Sequence, residues 1–123
     1  MIKLLLRMHP DVLFAYTQNY VNMIIRTENH GTEPFWCEVD VRVPDGISLS
    51  SHNELKKGRI RMGILSKKEF VEKSVKIYGS TYTMPQVYQI EATLYAFNKD
   101  GVIDGRLEKK IELRCEVKKE EVM

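Results

Sequence analysis

The sequence has no catalytic signature. It contains no Gly-rich phosphate loop, no nucleophile elbow and no metalloprotease motif, which excludes the enzyme classes that those motifs announce. No apolar run approaches the ~18–20 residues that span a bilayer. A secretory leader is missing too: the apolar start Ile2 to Leu6 is halted by Arg7, His9, Pro10 and Asp11, well short of the ~15–30-residue pattern. A cytoplasmic setting is therefore expected, although a piece of a larger exported protein would read the same way. Net charge is small, +2 over 123 residues, and gives no general reason to expect a polyanion partner. Only three glutamines accompany abundant Lys and Glu, a composition that suits a thermophile. No cofactor and no metal is expected, and nothing specifies a small-molecule ligand.

A long amphipathic helix is also lacking; what the chain has is alternation of period two. Apolar residues make up 43% and charged residues 29%, an ordinary balance for one globular domain over residues 1–123 with a charged tail at about 118–123. Ile2, Leu4, Leu6 and Met8 form one face of a first strand. His9-Pro10-Asp11 interrupts it and Val12 to Tyr16 resumes, as in an edge strand that bends or changes sheet. Val21, Met23 and Ile25 mark the second strand. Phe35, Cys37, Val39, Val41 and Val43 mark the third, Ile60, Met62 and Ile64 the fourth, and Val71, Val75 and Ile77 the fifth. The sixth strand has Tyr88, Ile90, Ala92 and Leu94 on its inner face. Asn98-Lys99-Asp100-Gly101 is a hairpin signal, and Leu107, Ile111, Leu113, Cys115 and Val117 belong to the seventh strand. Lys109 falls on that inward set, and a bulge near the hairpin would remove the misfit. The expected fold is an all-β, immunoglobulin-like antiparallel sandwich of about seven strands.

The segment Thr27-Glu28-Asn29-His30-Gly31, a strand from Trp36 to Val43, and then Pro44-Asp45-Gly46-Ile47-Ser48 follow the order strand, Asn-x-Gly, strand, Pro-x-Gly. Together with Tyr88-Gln89-Ile90-Glu91-Ala92, this resembles CARDB-type and related immunoglobulin-like domains over roughly residues 20 to 115. The resemblance lies in turn chemistry. It implies an interaction or spacer module and carries over no site residues.

The two cysteines, Cys37 and Cys115, both have inward parity. In the expected strand order they lie at opposite ends of parallel strands, too far apart for a disulfide, and read as buried free thiols. His9, His30 and His52 fall in separate breaks and loops and match no zinc site. The loop from Asn98 to Asp104 resembles a calcium loop, but Ala96 and Leu107 stand where the first and last carboxylates belong. Glu28, Asn29 and Glu33 share an end of the sandwich with Asn98, Asp100 and Asp104, which leaves an end-loop calcium site open. Glu38 and Asp40 point outward beside Arg42, as on a solvated face.

Two surfaces remain. Trp36, Tyr95 and Phe97 have outward parity on neighbouring antiparallel strands and should meet at one corner, unless a loop or residues 10 to 19 folds over them. Exposed aromatic clusters are typical of binding surfaces, so the expected function is a non-enzymatic domain that binds a protein partner or its own twin. The alternative uses the basic segment 56–76, where eight bases face two acids. Lys56, Lys57, Arg59, Arg61, Lys67 and Lys68 would there meet an acidic protein, a nucleic acid or membrane headgroups. Edge strands also collect Lys and Arg as protection against aggregation, and nucleic acid is not the expected partner.

Overall fold

The structure, a computed structural model, describes residues 1–119; residues 120–123 of the expected tail lie outside the described residues. Eight strands form two sheets that pack face to face. β1 (Ile2–His9), β3 (Asn19–Asn29) and β6 (Phe70–Gly79) make a three-stranded sheet in the order β1-β3-β6. β2 (Val12–Phe14), β4 (Phe35–Arg42), β5 (Lys57–Leu65), β7 (Gln86–Phe97) and β8 (Ile103–Glu116) make a five-stranded sheet in the order β2-β8-β7-β4-β5. Among the described residues there is no helix long and apolar enough to cross a membrane. The all-β sandwich is as expected. It has one strand more than expected because the first segment divides at His9-Pro10: β1 stays in one sheet and β2 crosses to the other.

The core is the set of alternate residues that the two sheets turn toward each other. Val21, Met23 and Ile25 of β3 meet Cys37, Val39 and Val41 of β4 and Ile90, Ala92 and Leu94 of β7, all buried. Each large aliphatic side chain buried there contributes roughly 1.5–3 kcal/mol. Two polar residues continue the inward parity of β3 and are satisfied. The Asn29 amide donates to the carbonyls of Glu33 and Leu65, at 2.8 and 3.0 Å, and its Oδ1 accepts from Gly31 N–H.

Ile64, Val117 and the bulge invoked for Lys109 need correction. Val117 lies past the end of β8 and is 58% exposed. Ile64 faces solvent, because β5 carries a bulge: Cys37 pairs with Gly63 but Glu38 pairs with Arg61, leaving Met62 as the extra residue. Gly63 takes φ 96° there, a conformation that suits glycine. Alternation therefore shifts by one, so that Met62 and Leu65 are buried and Ile64 is not. Lys109 keeps its inward parity opposite Ala92. A bulge does exist at Asp104, but it lies before Gly105 and leaves the parity of Lys109 untouched. Lys109 is exposed because β8 is an edge strand over most of its length. β2 pairs only with Arg114, Cys115 and Glu116, leaving Ile103 to Leu113 with β7 as their one ladder neighbour among the described residues.

Candidate functional site: the outer face of the five-stranded sheet

Register places the outward side chains of four strands in rows. The end row runs Ile103 of β8, Phe97 of β7, Trp36 of β4 and Ile64 of β5, each directly opposite the next. The second row is Arg106, Tyr95, Glu38 and Arg61, and the third is Glu108, Thr93, Asp40 and Arg59. The first row is apolar throughout, while the next two mix charges of both signs.

Trp36 and Phe97 therefore occupy paired positions, with Tyr95 one row further in, so the expected aromatic corner forms. Among the described residues no loop closes over Trp36, which is 37% exposed, and Ile64 and Ile103 beside it are 63% and 54% exposed, whereas Tyr95 and Phe97 are half-buried. Residues 12–14 lie with β2 against Arg114 to Glu116, far along β8 from Ile103. Trp36 is oriented by its own strand, since its Nε1 donates to Glu38 Oε2 at 2.7 Å. The two bulges bring Ile64 and Ile103 into the row. Strict alternation missed both, and the signals that could have found them were Gly63 inside a strand and Gly105 just after the hairpin.

Behind the row lies a shallow dish of about 400 Å³ whose lining includes Asp40, Arg42, Arg59, Glu91, Tyr95 and Arg106. Arg59 organises it. Its Nε and a terminal nitrogen donate to the two oxygens of Asp40 at 2.6 and 3.0 Å, and its other terminal nitrogen reaches Glu38 at 3.3 Å. The same guanidinium lies 5.5 Å from the centre of the Tyr95 ring. Hydrogen bonding to Arg59 holds the Asp40 carboxyl below its ordinary range. A carboxylate kept ionised in this way accepts hydrogen bonds and is a poor general acid.

The basic segment is dispersed. Arg59 is occupied by Asp40 and Glu38; Lys56 donates to the Ile47 carbonyl at 3.1 Å. Lys73, from β6, donates to the carbonyl of Arg61 at 2.7 Å and links the two edge strands on that side. Lys76 lies 4.7 Å from the centre of the Tyr20 ring. Lys57 and Arg61 point from β5, while Lys67 and Lys68 sit in the turn before β6. These bases line two strand edges instead of converging on a cradle.

Cys37 and Cys115 are buried and free. Cys37 pairs with Ala96 and Cys115 with Gln86 at the other end of β7, roughly 33 Å apart at ~3.3 Å per residue. Burial pushes the Cys37 thiol up to about 11 and raises that of Cys115 as well, so both are protonated and unreactive at neutral pH. His30 lies 2.8 Å from Glu28, His9 ends β1, and the His52 amide donates to Ser50. At the end of the sandwich, Glu33, Asn98, Asp100 and Asp104 line a small cavity of about 110 Å³. Two members of the calcium set are committed elsewhere. Asn98 Oδ1 accepts from the amides of Asp100 and Val102, and Asn29 is tied down as described above. Among the described residues no three His, Cys, Asp or Glu side chains gather as metal ligands would.

No family model matches the chain, so the CARDB-type resemblance stands on its turn residues alone. No curated protein matches it in sequence either. Among solved structures the chain is similar to BslA, a bacterial hydrophobin, at 11% identity and a TM-score of 0.47, covering 93% of this chain and 94% of that one. It is also similar to AggA, the major subunit of aggregative adherence fimbriae type I from Escherichia coli, at 13% identity and a TM-score of 0.39, covering 94% and 95%. Neither likeness says what this chain binds.

Proposed function

We propose that this domain is a non-enzymatic protein-binding module whose contact surface is the apolar row Ile64, Trp36, Phe97 and Ile103, flanked by Tyr95. One observation carries the reading: a continuous apolar row crosses four strands on the solvent face of a sheet, next to rows of mixed charge. An apolar centre beside a polar rim is the anatomy of a protein interface, and Trp is the residue most enriched at interface hot spots. The carboxylates beside Thr93 in the dish are engaged by arginines, Asp40 by Arg59 and Glu108 by Arg106, which favours binding over catalysis. Dispersal of the bases along two edges disfavours the anion-facing alternative. The two buried thiols suit a reducing compartment.

Trp36 is the sole tryptophan, so its fluorescence reports on the row directly. A protein bound there is expected to shift Trp36 emission to the blue and to protect it from acrylamide. Ile64→Asp and Trp36→Ala should each weaken that binding by ~2 kcal/mol or more, measured by calorimetry. Their urea midpoints should change little, because neither side chain enters the core. Partners that bind both variants as well as the wild type would show that the row is not the contact.

A further inference from the structure

β8 is fourteen residues long, yet β2 covers only its last three. Direction of the backbone groups on the free part follows from one bond: the Glu116 carbonyl accepts from Ala15 N–H at 2.9 Å, across to the β2 side. In an antiparallel ladder the N–H and C=O of successive residues point alternately to the two sides of the strand. No register shift separates Arg106 from Cys115, and Glu116 follows directly in the same strand. The amides and carbonyls of Arg106, Glu108, Lys110 and Glu112 therefore all point toward the open edge. Those same four side chains stand on the outer face and alternate in sign.

From this geometry we propose that the free edge of β8 pairs with the same edge of a second copy of this chain, antiparallel, with the two-fold axis at Lys109. The inference is independent of the apolar row. With the axis at Lys109, Arg106 lies opposite Glu112 and Glu108 opposite Lys110, each contact made twice. Moving the axis to Glu108 sets that residue against itself and Arg106 against Lys110. Moving it to Lys110 sets Glu108 against Glu112. An axis at Ile111 collides with β2, and one at Leu107 runs into the bulge at Asp104. Charge complementarity and free length thus select one register, from Gly105 to Leu113.

On the inner side, Leu107 is 38% exposed. It lies at the mouth of an apolar groove of about 360 Å³ lined also by Met1, Ile2, Phe35, Leu94 and Ala96. The selected register brings Ile111 of the second copy opposite Leu107, where it covers that exposed surface. Lys109 meets its own twin on the axis. An inward-pointing lysine on an edge strand guards against indiscriminate pairing; here its like-charge contact keeps the dimer reversible.

Sedimentation equilibrium over a concentration series tests the pairing. Glu108→Lys and Lys110→Glu should each weaken the dimer at least about tenfold, since like charges then face each other across the strands. The double variant Glu108→Lys with Lys110→Glu restores opposite pairs and should return to wild-type association. Lys109→Leu should tighten the dimer by about tenfold. Lys109→Cys should form an interchain disulfide on mild oxidation, because partners in a non-hydrogen-bonded antiparallel pair lie about 4.5 Å apart at Cα. Trp36→Ala and Ile64→Asp should leave the dimer unchanged, which separates this surface from the apolar row. A wild type and a Lys109→Leu variant that both stay monomeric up to about 1 mM would overturn the proposal. Association indifferent to both charge reversals, or a double variant that fails to recover, would overturn the edge and the register respectively.

Discussion

At the scale of single residues, the outer face is dominated by Arg59 and the inner face by its thiols. Arg59 grips both Asp40 oxygens and reaches Glu38, which in turn accepts from Trp36. The mixed-charge field therefore supports the aromatic residue that should meet a partner. Cys37 behaves in the opposite manner, since it is buried with no partner for a charge. Burial raises its thiol from an ordinary 9.0 to about 11, so the native state keeps a proton that the unfolded chain releases earlier. The linked stability is fully present below the unfolded value and is lost as pH rises from there through about 11. Urea midpoints measured from pH 8 upward should fall on the alkaline side, and Cys37→Ala should flatten that fall while lowering the plateau. In the native protein at pH 8 a thiol reagent should leave Cys37 unmodified, whereas the denatured protein should present both cysteines.

At the scale of elements, bulges decide what the strands display. Without the extra residue Met62, Ile64 would enter the core and the apolar row would stop at Trp36. Gly63 makes the bulge at φ 96°, and a Cβ added there meets nothing within 4 Å. Gly63→Ala should therefore cost only backbone strain, roughly 1–2 kcal/mol, read from chemical denaturation. Gly46→Ala should cost more. It shares a positive φ of 101°, and its Cβ would come within 2.9 Å of the Tyr88 hydroxyl and 3.0 Å of the ring. If the two variants are equally destabilised, strain at these turns is not what sets the cost. Most strands were legible from alternation because one face of each is buried, and a slip of one residue would turn that face to water. Ile64 and Lys109 were misread for different reasons: one follows a bulge, the other sits on an edge where inward parity no longer means burial.

At the scale of the whole molecule, the two sides of the sandwich are finished differently. On the β5 and β6 side, Lys73 crosses between the edges and the bulge twists β5, which blunts it against pairing. On the other side, β1 and the free part of β8 have no further strand paired to them among the described residues. At the end of the sandwich Glu33, Asp100 and Asp104 line a small cavity without gathering as metal ligands would, and the Asn29 and Asn98 side-chain carbonyls nearby are engaged by backbone amides. Calcium at millimolar concentration, or its removal with EDTA, is accordingly expected to leave the thermal midpoint unchanged. A specific site would stabilise by RT ln(1 + [L]/Kd), so a calcium-dependent rise of several degrees in calorimetry would reinstate the end-loop site.

The all-β class, the strand break at Pro10, the buried parity of both cysteines and the meeting of Trp36 with Phe97 were determined by the sequence alone. Each follows from local rules: period-two alternation, a proline without an N–H, and antiparallel neighbours whose ends coincide. The tertiary structure alone decided the rest. Bulge positions depend on how many residues each partner strand spends over the same length, which no single strand records. Whether β8 is covered depends on how far β2 reaches after crossing between sheets, and it reaches only to Arg114. The alternating charges of β8 gain meaning only because that edge is left open.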